Sequence, residues 1–174
     1  MKLSRVERLI ISNQFKILEK LYPEEKEYYE VDRKAIEEGY EIHYEEIIGN
    51  VISEDELSEE AAREVLNILS MYRAITFSYK KLTEEEKLEI DKKYDVKFEG
   101  FDANDPEEIK LLMYTRYFII DKDRFQELVY NAEYPDFNSH SPKLDTYRKM
   151  LTLFKSYNNS NLSKEQIIKL LGVY

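Results

Sequence analysis

The chain is predicted to be all-α: a compact multi-helix single domain over residues 1–174, with about eight to nine helices and no substantial sheet. Three observations carry this expectation. Apolar residues recur at three- and four-residue spacing through several long stretches. Ser or Thr followed three residues later by Glu or Gln, a pair that caps a helix start reciprocally, occurs at Ser53/Glu56, Thr83/Glu86 and Ser163/Gln166. Only four Gly and four Pro stand among 174 residues, too few for a turn-rich β protein.

The first helix is expected over about residues 4–22. Val6, Leu9, Ile10, Ile17, Leu18 and Leu21 share one of its faces, and Pro23 ends it and opens the next. Asn13 and Gln14 interrupt that face. Asn13 is expected to be buried in the middle of that face, where an amide must find partners or cost roughly 1 to 3 kcal/mol, which points to a bond with another element or a ligand, the structural bond being the commoner outcome. A second helix should run to Glu38 with Tyr28, Val31, Ala35 and Ile36 inward and Gly39 as its left-handed terminator. Residues 40–49 form a short segment.

A long central helix is expected from Ser53 or Ser58 to Leu82. Its wide apolar face carries Val65, Leu66, Ile68, Leu69, Tyr72, Ile75 and Tyr79, and Ala61 and Ala62 permit close approach. A short helix follows Thr83. Asp105 and Pro106 mark another start, with Glu107 and Glu108 read as carboxylates that complement the positive end of that helix, and the run LLMYTRYFII reads as almost wholly buried. The stretch NAEYPDFNSHS, residues 131–141, is the longest irregular connection. Ser141 and Pro142 then start a helix bearing Leu144, Tyr147, Met150, Leu151 and Phe154, and Ser163 starts the last, with Gly172 at its end.

Composition narrows function by exclusion. Hydrophobic residues are 43% and charged residues 36% of the chain, enough apolar surface for a self-supporting core. The formal charge is −10 with both signs scattered, so polyphosphates are repelled at long range and direct nucleic-acid binding is not expected. The absence of cysteine excludes disulfides, thiolate nucleophiles and Cys-ligated metals and is compatible with a cytoplasmic location. No run approaches the roughly 20 apolar residues that span a bilayer, so neither a membrane span nor a signal peptide is expected.

Several ordered blocks carry a resemblance: RLIISNQFKIL, AIEEGY at residues 35–40, LNILSMYRAITFSY at 66–79, FEGFDAND before YTRYFI, FNSHSP before YRKMLTLF, and LSKEQIIKLL. In this order they resemble the YfbU family of small prokaryotic proteins over nearly the whole chain. The resemblance implies an all-helical, cytoplasmic, self-associating protein, loosely linked to bacterial cell-death control, with no agreed catalytic motif to carry over. NAEYPDF and SYNNSN depart from the family pattern.

Motifs for chemistry are sparse. Neither His43 nor His140 has another histidine at helical spacing. His140 could act as a base if Asp136 or Asp145 oriented it, although an exposed loop histidine is the commoner outcome. Asp102, Asn104 and Asp105 resemble a calcium loop only briefly, because Pro106 takes a ligand position. Tyr114, Arg116, Tyr117 and Phe118 could stack on a base, but a tyrosine-rich core explains them as well. The four glycines are isolated, so no phosphate-binding loop is present.

These readings favour a non-enzymatic, self-associating interaction or regulatory protein with no cofactor and no metal. Its expected partners are further copies of itself and another protein. Arg8, Asn13, Gln14, Tyr72 and Arg116 form the candidate polar cluster, and Asp136, Asn138 and His140 the candidate loop site. The alternatives are an enzyme or toxin acting on nucleic acid or a small phosphorylated ligand, using His140, Asp136 and Arg116, and a transcription-linked adaptor.

Overall fold

A computed structural model describes residues 1–49, 56–129 and 136–173. Among these residues there are eight α-helices and no strand, and Phe101 and Asn138 form an isolated parallel bridge. The protein is all-α, as its periodicity and capping pairs predict. The chain gathers into two compact units, Met1–Glu56 and Leu57–Tyr174.

The first unit contains α1 (Arg5–Leu21), α2 (Lys26–Glu38) and α3 (Tyr44–Gly49). A capping box starts α1: Glu7 N donates to Ser4 Oγ at 3.3 Å, and Ser4 N donates to the Glu7 carboxylate at 2.7 Å. Pro23 opens a single 3₁₀ turn that leads into α2, which ends at Gly39 with φ 80°, the left-handed terminator expected there. The start of α1 meets the end of α2, and Tyr22 meets Tyr29 at the other end, so the pair is an antiparallel hairpin.

The apolar stripe of α1 was expected to be buried. It points outward instead. Val6, Leu9, Ile10, Ile17 and Leu21 are all exposed, from 51% for Ile17 to 65% for Val6, whereas Ser12 is buried. On α2, Ala35 and Ile36 are buried as expected, but Tyr28 and Val31 are exposed. The reason is that the hairpin closes through polar groups. Arg8, Ser12 and Glu19 of α1 bond Ile36, Glu37 and Arg33 of α2, and the strip of α1 that holds them lies on the side of the helix opposite the exposed apolar one.

The second unit is built on α4 (Glu59–Lys80), which packs against α6 (Glu108–Arg116), α7 (Leu144–Ser156) and α8 (Lys164–Leu171), with α5 (Glu84–Asp91) beside α8. Ser58 caps α4, its hydroxyl accepting from Ala61 N at 3.2 Å, whereas Ser53 lies outside the described residues. Val65, Ile68, Leu69, Met71, Tyr72 and Ile75 are buried, which makes α4 the central core element, as its wide apolar face predicts. Thr83/Glu86 and Ser163/Gln166 form their capping boxes. LLMYTRYFII is less buried than expected: Leu111, Leu112, Thr115 and Ile119 face the core, but Met113, Tyr117 and Ile120 are exposed. The helix meets the core along one side and then passes into a π-helical turn over Tyr117–Asp121.

Glu108 departs most from expectation. Its own helix start is served by Asp105, whose Oδ1 accepts from Glu107 N and Glu108 N, each at 2.9 Å. Glu108 is instead buried, and its carboxylate accepts from Lys143 N at 2.7 Å, Leu144 N at 2.6 Å and Asp102 N at 2.7 Å. Two of those amides belong to the start of α7, where no local side chain caps the helix, and Ser141 is not its cap. An anion at that end is favoured by the helix dipole as well as by charge-assisted hydrogen bonds.

The same region is locked by Gly100. Its φ is 92°, and a Cβ there would stand 1.8 Å from the Phe137 carbonyl oxygen. Phe101 N donates to that oxygen at 3.0 Å, Ser139 N donates to Phe101 O at 3.1 Å, and the Tyr147 hydroxyl donates to Gly100 O at 3.0 Å. Replacing Glu108 with Ala leaves two buried amides and one half-buried amide without an acceptor. The expected cost is about 3 to 5 kcal/mol of unfolding free energy, with Glu108→Gln costing less, as measured by denaturant titration. Gly100→Ala should cost at least about 1 to 2 kcal/mol for the left-handed backbone alone, and thermal melts of both variants check the ranking.

Candidate functional site

The sequence-derived candidates fall in both units. In the first, Arg8 reaches the end of α2, its Nε donating to Ile36 O at 2.8 Å and its Nη2 to Glu37 O at 2.7 Å. These are carbonyls that the helix ladder leaves unpaired. Gly39 sits against the guanidinium, where an added Cβ would stand 2.9 Å from Arg8 Nη1. Asn13 and Gln14 are exposed in the middle of the outward apolar stripe, so the expectation of a buried Asn13 is corrected. The buried polar residue of α1 is the neighbouring Ser12, whose hydroxyl donates to Glu37 Oε1 at 2.7 Å.

Glu37 is the hub of the hairpin. It also pairs with Lys16 at 3.1 Å and Arg33 at 2.8 Å, and Arg33 bonds Glu19 at 2.6 Å. The hydrogen bond from Ser12, followed by that from Lys16, holds the Glu37 carboxyl below its ordinary value. Ser12, Glu19, Arg33 and Glu37 are contacts between the two helices that the apolar reading passed over. Arg8, Ser12 and Glu19 themselves recur at helical spacing, and that second stripe was the signal available for them.

A cleft of about 430 Å³ runs along α1, lined by Arg5, Val6, Arg8, Leu9, Ser12, Lys16 and Glu37. A larger cavity of about 600 Å³ lies among α2, α3 and the turn between them, lined by Tyr28, Val31, Ala35, Tyr40, His43 and Ile47 with Asp32, Lys34 and Glu46. Burial, and then the charge of Glu46, push the Asp32 carboxyl up. Apolar and aromatic side chains dominate the walls of this second cavity, which suits contact with another apolar surface better than proton-transfer chemistry.

In the second unit, Tyr72 is buried among the rings of Phe98 and Tyr147, with centroids at 5.2 and 5.5 Å. Burial pushes its hydroxyl well above the ordinary tyrosine value. Arg116 is joined to the loop site rather than to Tyr72: its Nε donates to Asp136 O at 2.7 Å and its Nη2 lies 3.5 Å from the Asp136 carboxylate. Asn138 Oδ1 accepts from Ala103 N and His140 N, each at 3.1 Å. Phe137 and His140 both take left-handed backbone, φ 52° and 54°; Phe137 is buried and His140 exposed. Arg116, Asp136 and Asn138 therefore hold residues 136–140 in place, and neither of the two cavities above includes His140.

Nearly the whole chain, residues 1–172, matches the YfbU domain. The chain belongs to the YfbU family. A UPF0304 protein of Methanocaldococcus jannaschii is 42% identical over 173 residues, covering 98% of this chain and 99% of that protein. The blocks that carry the resemblance include the parts of the YfbU fold that cap and lock helices: RLIISNQF contains Arg8 and Ser12, AIEEGY contains Ile36, Glu37 and Gly39, and FEGFDAND with FNSHSP contains Gly100 and Phe137. No helix among the described residues is long and apolar enough to cross a membrane.

The lowered Glu37 value sets a direction for pH dependence. Above the ordinary value of 4.5 the hairpin bonds contribute in full. As pH falls through the lowered folded-state value, the carboxylate takes up a proton and that contribution is lost, because the unfolded chain binds protons first. Carboxyl-carbon NMR titration should place Glu37 below 4.5 in the native protein, and Ser12→Ala should move it back toward that value.

Proposed function

We propose that this YfbU-family chain is a non-enzymatic interaction protein that self-associates through the outward apolar face of α1 and exerts a regulatory effect in the cytoplasm. One observation supports the reading above the others. The hairpin spends the polar strip of α1 on α2 and leaves Val6, Leu9, Ile10, Ile17 and Leu21 exposed. Burying an aliphatic side chain stabilises by roughly 1.5 to 3 kcal/mol, so five left outside form a face whose stability depends on a partner.

The two amides fit this role. Asn13 and Gln14 lie where a seam would run, and a polar group within an apolar seam selects register and partner at some cost in affinity. Arg8 acts indirectly, by fixing the end of α2 against α1. A regulatory effect, including the link to cell-death control that the family resemblance implies, would follow from which surface assembly hides or presents.

Size-exclusion chromatography with light scattering tests the proposal. The wild-type chain should run as an oligomer. Ile10→Asp with Ile17→Asp, both at exposed positions, should produce a monomer with unchanged helical circular dichroism. A wild-type monomer at every concentration would overturn the reading.

A further inference from the structure

The outward face of α1 has a symmetry that the hairpin does not use. About the midpoint between Asn13 and Gln14, the exposed residues Val6 and Leu21, and Ile10 and Ile17, stand at equal distances, and exposed Leu9 is matched at the opposite margin by the half-buried Leu18. The helix itself, Arg5–Leu21, is centred on Asn13. With 3.6 residues per turn, Ile10 and Ile17 fall on the same line down the middle of the face, Val6 and Leu21 slightly to either side, and the amides flank the centre.

We infer that two copies of this chain pair through α1 in an antiparallel, two-fold arrangement whose axis passes beside Asn13 and Gln14. This rests on the self-association reading above and names its partner and geometry. A two-fold interface requires one surface to be complementary to itself after rotation. Antiparallel pairing on this axis sets Ile10 level with Ile17 of the second copy and Val6 level with its Leu21, so apolar groups meet along the seam. The four amides gather at the axis, where their donors and acceptors can satisfy one another instead of being buried alone.

Charge decides between the two possible directions. Parallel pairing would bring Glu7 level with Glu7, Lys20 level with Lys20, and the two helix dipoles into alignment. Antiparallel pairing brings Lys20 level with Glu7 of the second copy and opposes the dipoles. Area is adequate as well. Five half-exposed aliphatic side chains supply roughly half of the ~800 Å² that each partner contributes to a stable interface, and the flanking residues of the α1 cleft supply more.

Because the chain has no cysteine, one introduced thiol is the only thiol present. Ile10→Cys and Ile17→Cys chains, differently tagged and co-expressed, should form a covalent mixed dimer under mild oxidation. Each variant alone should link several-fold less, as should Ile42→Cys, an exposed residue off the stripe that measures chance collision. Self-linked dimers of Ile10→Cys alone at equal yield would overturn the antiparallel arrangement in favour of a parallel one. An oligomer by light scattering with no α1 cross-link would overturn this pairing while leaving self-association standing. A monomer by light scattering would overturn both.

Discussion

Every helix must dispose of the amides and carbonyls that its own ladder leaves unpaired, and in both units an ionised side chain from a neighbouring helix meets that requirement. Arg8 donates to the last carbonyls of α2, and Glu108 accepts from the first amides of α7. The signs follow the helix dipole: a cation stands at a carbonyl end and an anion at an amide end. Each contact joins residues far apart in the chain, 28 positions for Arg8 with Ile36 and 36 for Glu108 with Leu144. Hairpin geometry in the first unit and loop geometry in the second follow from them. Gly39 must leave room for the guanidinium, and Gly100 must let the chain pass under the Phe137 carbonyl oxygen.

In the first unit this polar closure reverses the usual division of an amphipathic helix. α1 turns the strip containing Arg8, Ser12 and Glu19 toward α2, and the apolar strip on the opposite side is left facing out. A hairpin built in this way forgoes part of the apolar burial that ordinarily stabilises a small helical unit. In the proposed pairing, association would restore that term. The interior contact and the exterior face are therefore two consequences of one choice of rotation about the α1 axis.

The second unit is organised around rigidity. Tyr72, Phe98, Phe101 and Tyr147 form a connected aromatic cluster, and burial pushes the Tyr72 and Tyr147 hydroxyls up, so both remain protonated at neutral pH. The Tyr147 hydroxyl then serves as a donor to Gly100 O. Arg116, Asn138 and the left-handed Phe137 hold residues 136–140 against this cluster. The described part of the expected loop site is bonded to Arg116 and Ala103, and the polar cluster divides by partner: Arg8 at a helix end, Asn13 and Gln14 on an open face, Tyr72 in the core and Arg116 on the loop.

The sequence by itself determined what local chemistry decides. The all-α class, the α5 and α8 capping boxes, the Gly39 terminator and the central place of α4 all rest on spacings of three and four residues, and those operate within one helix. The outward rotation of α1 was not legible, because an apolar stripe states which residues share a face but not whether that face meets this chain or another molecule. Arg8, Ser12 and Glu19 form a competing stripe, and only their partners on α2 show which stripe faced inward. Glu108 carried no distinguishing local signal. A glutamate after Asp-Pro reads as a first-turn carboxylate, and its bond to α7 exists only because folding brings residues 102, 108 and 143–144 together. Tertiary structure decided these points because the energy of a buried charge or an exposed stripe depends on what lies across from it, and a linear sequence does not specify that neighbour.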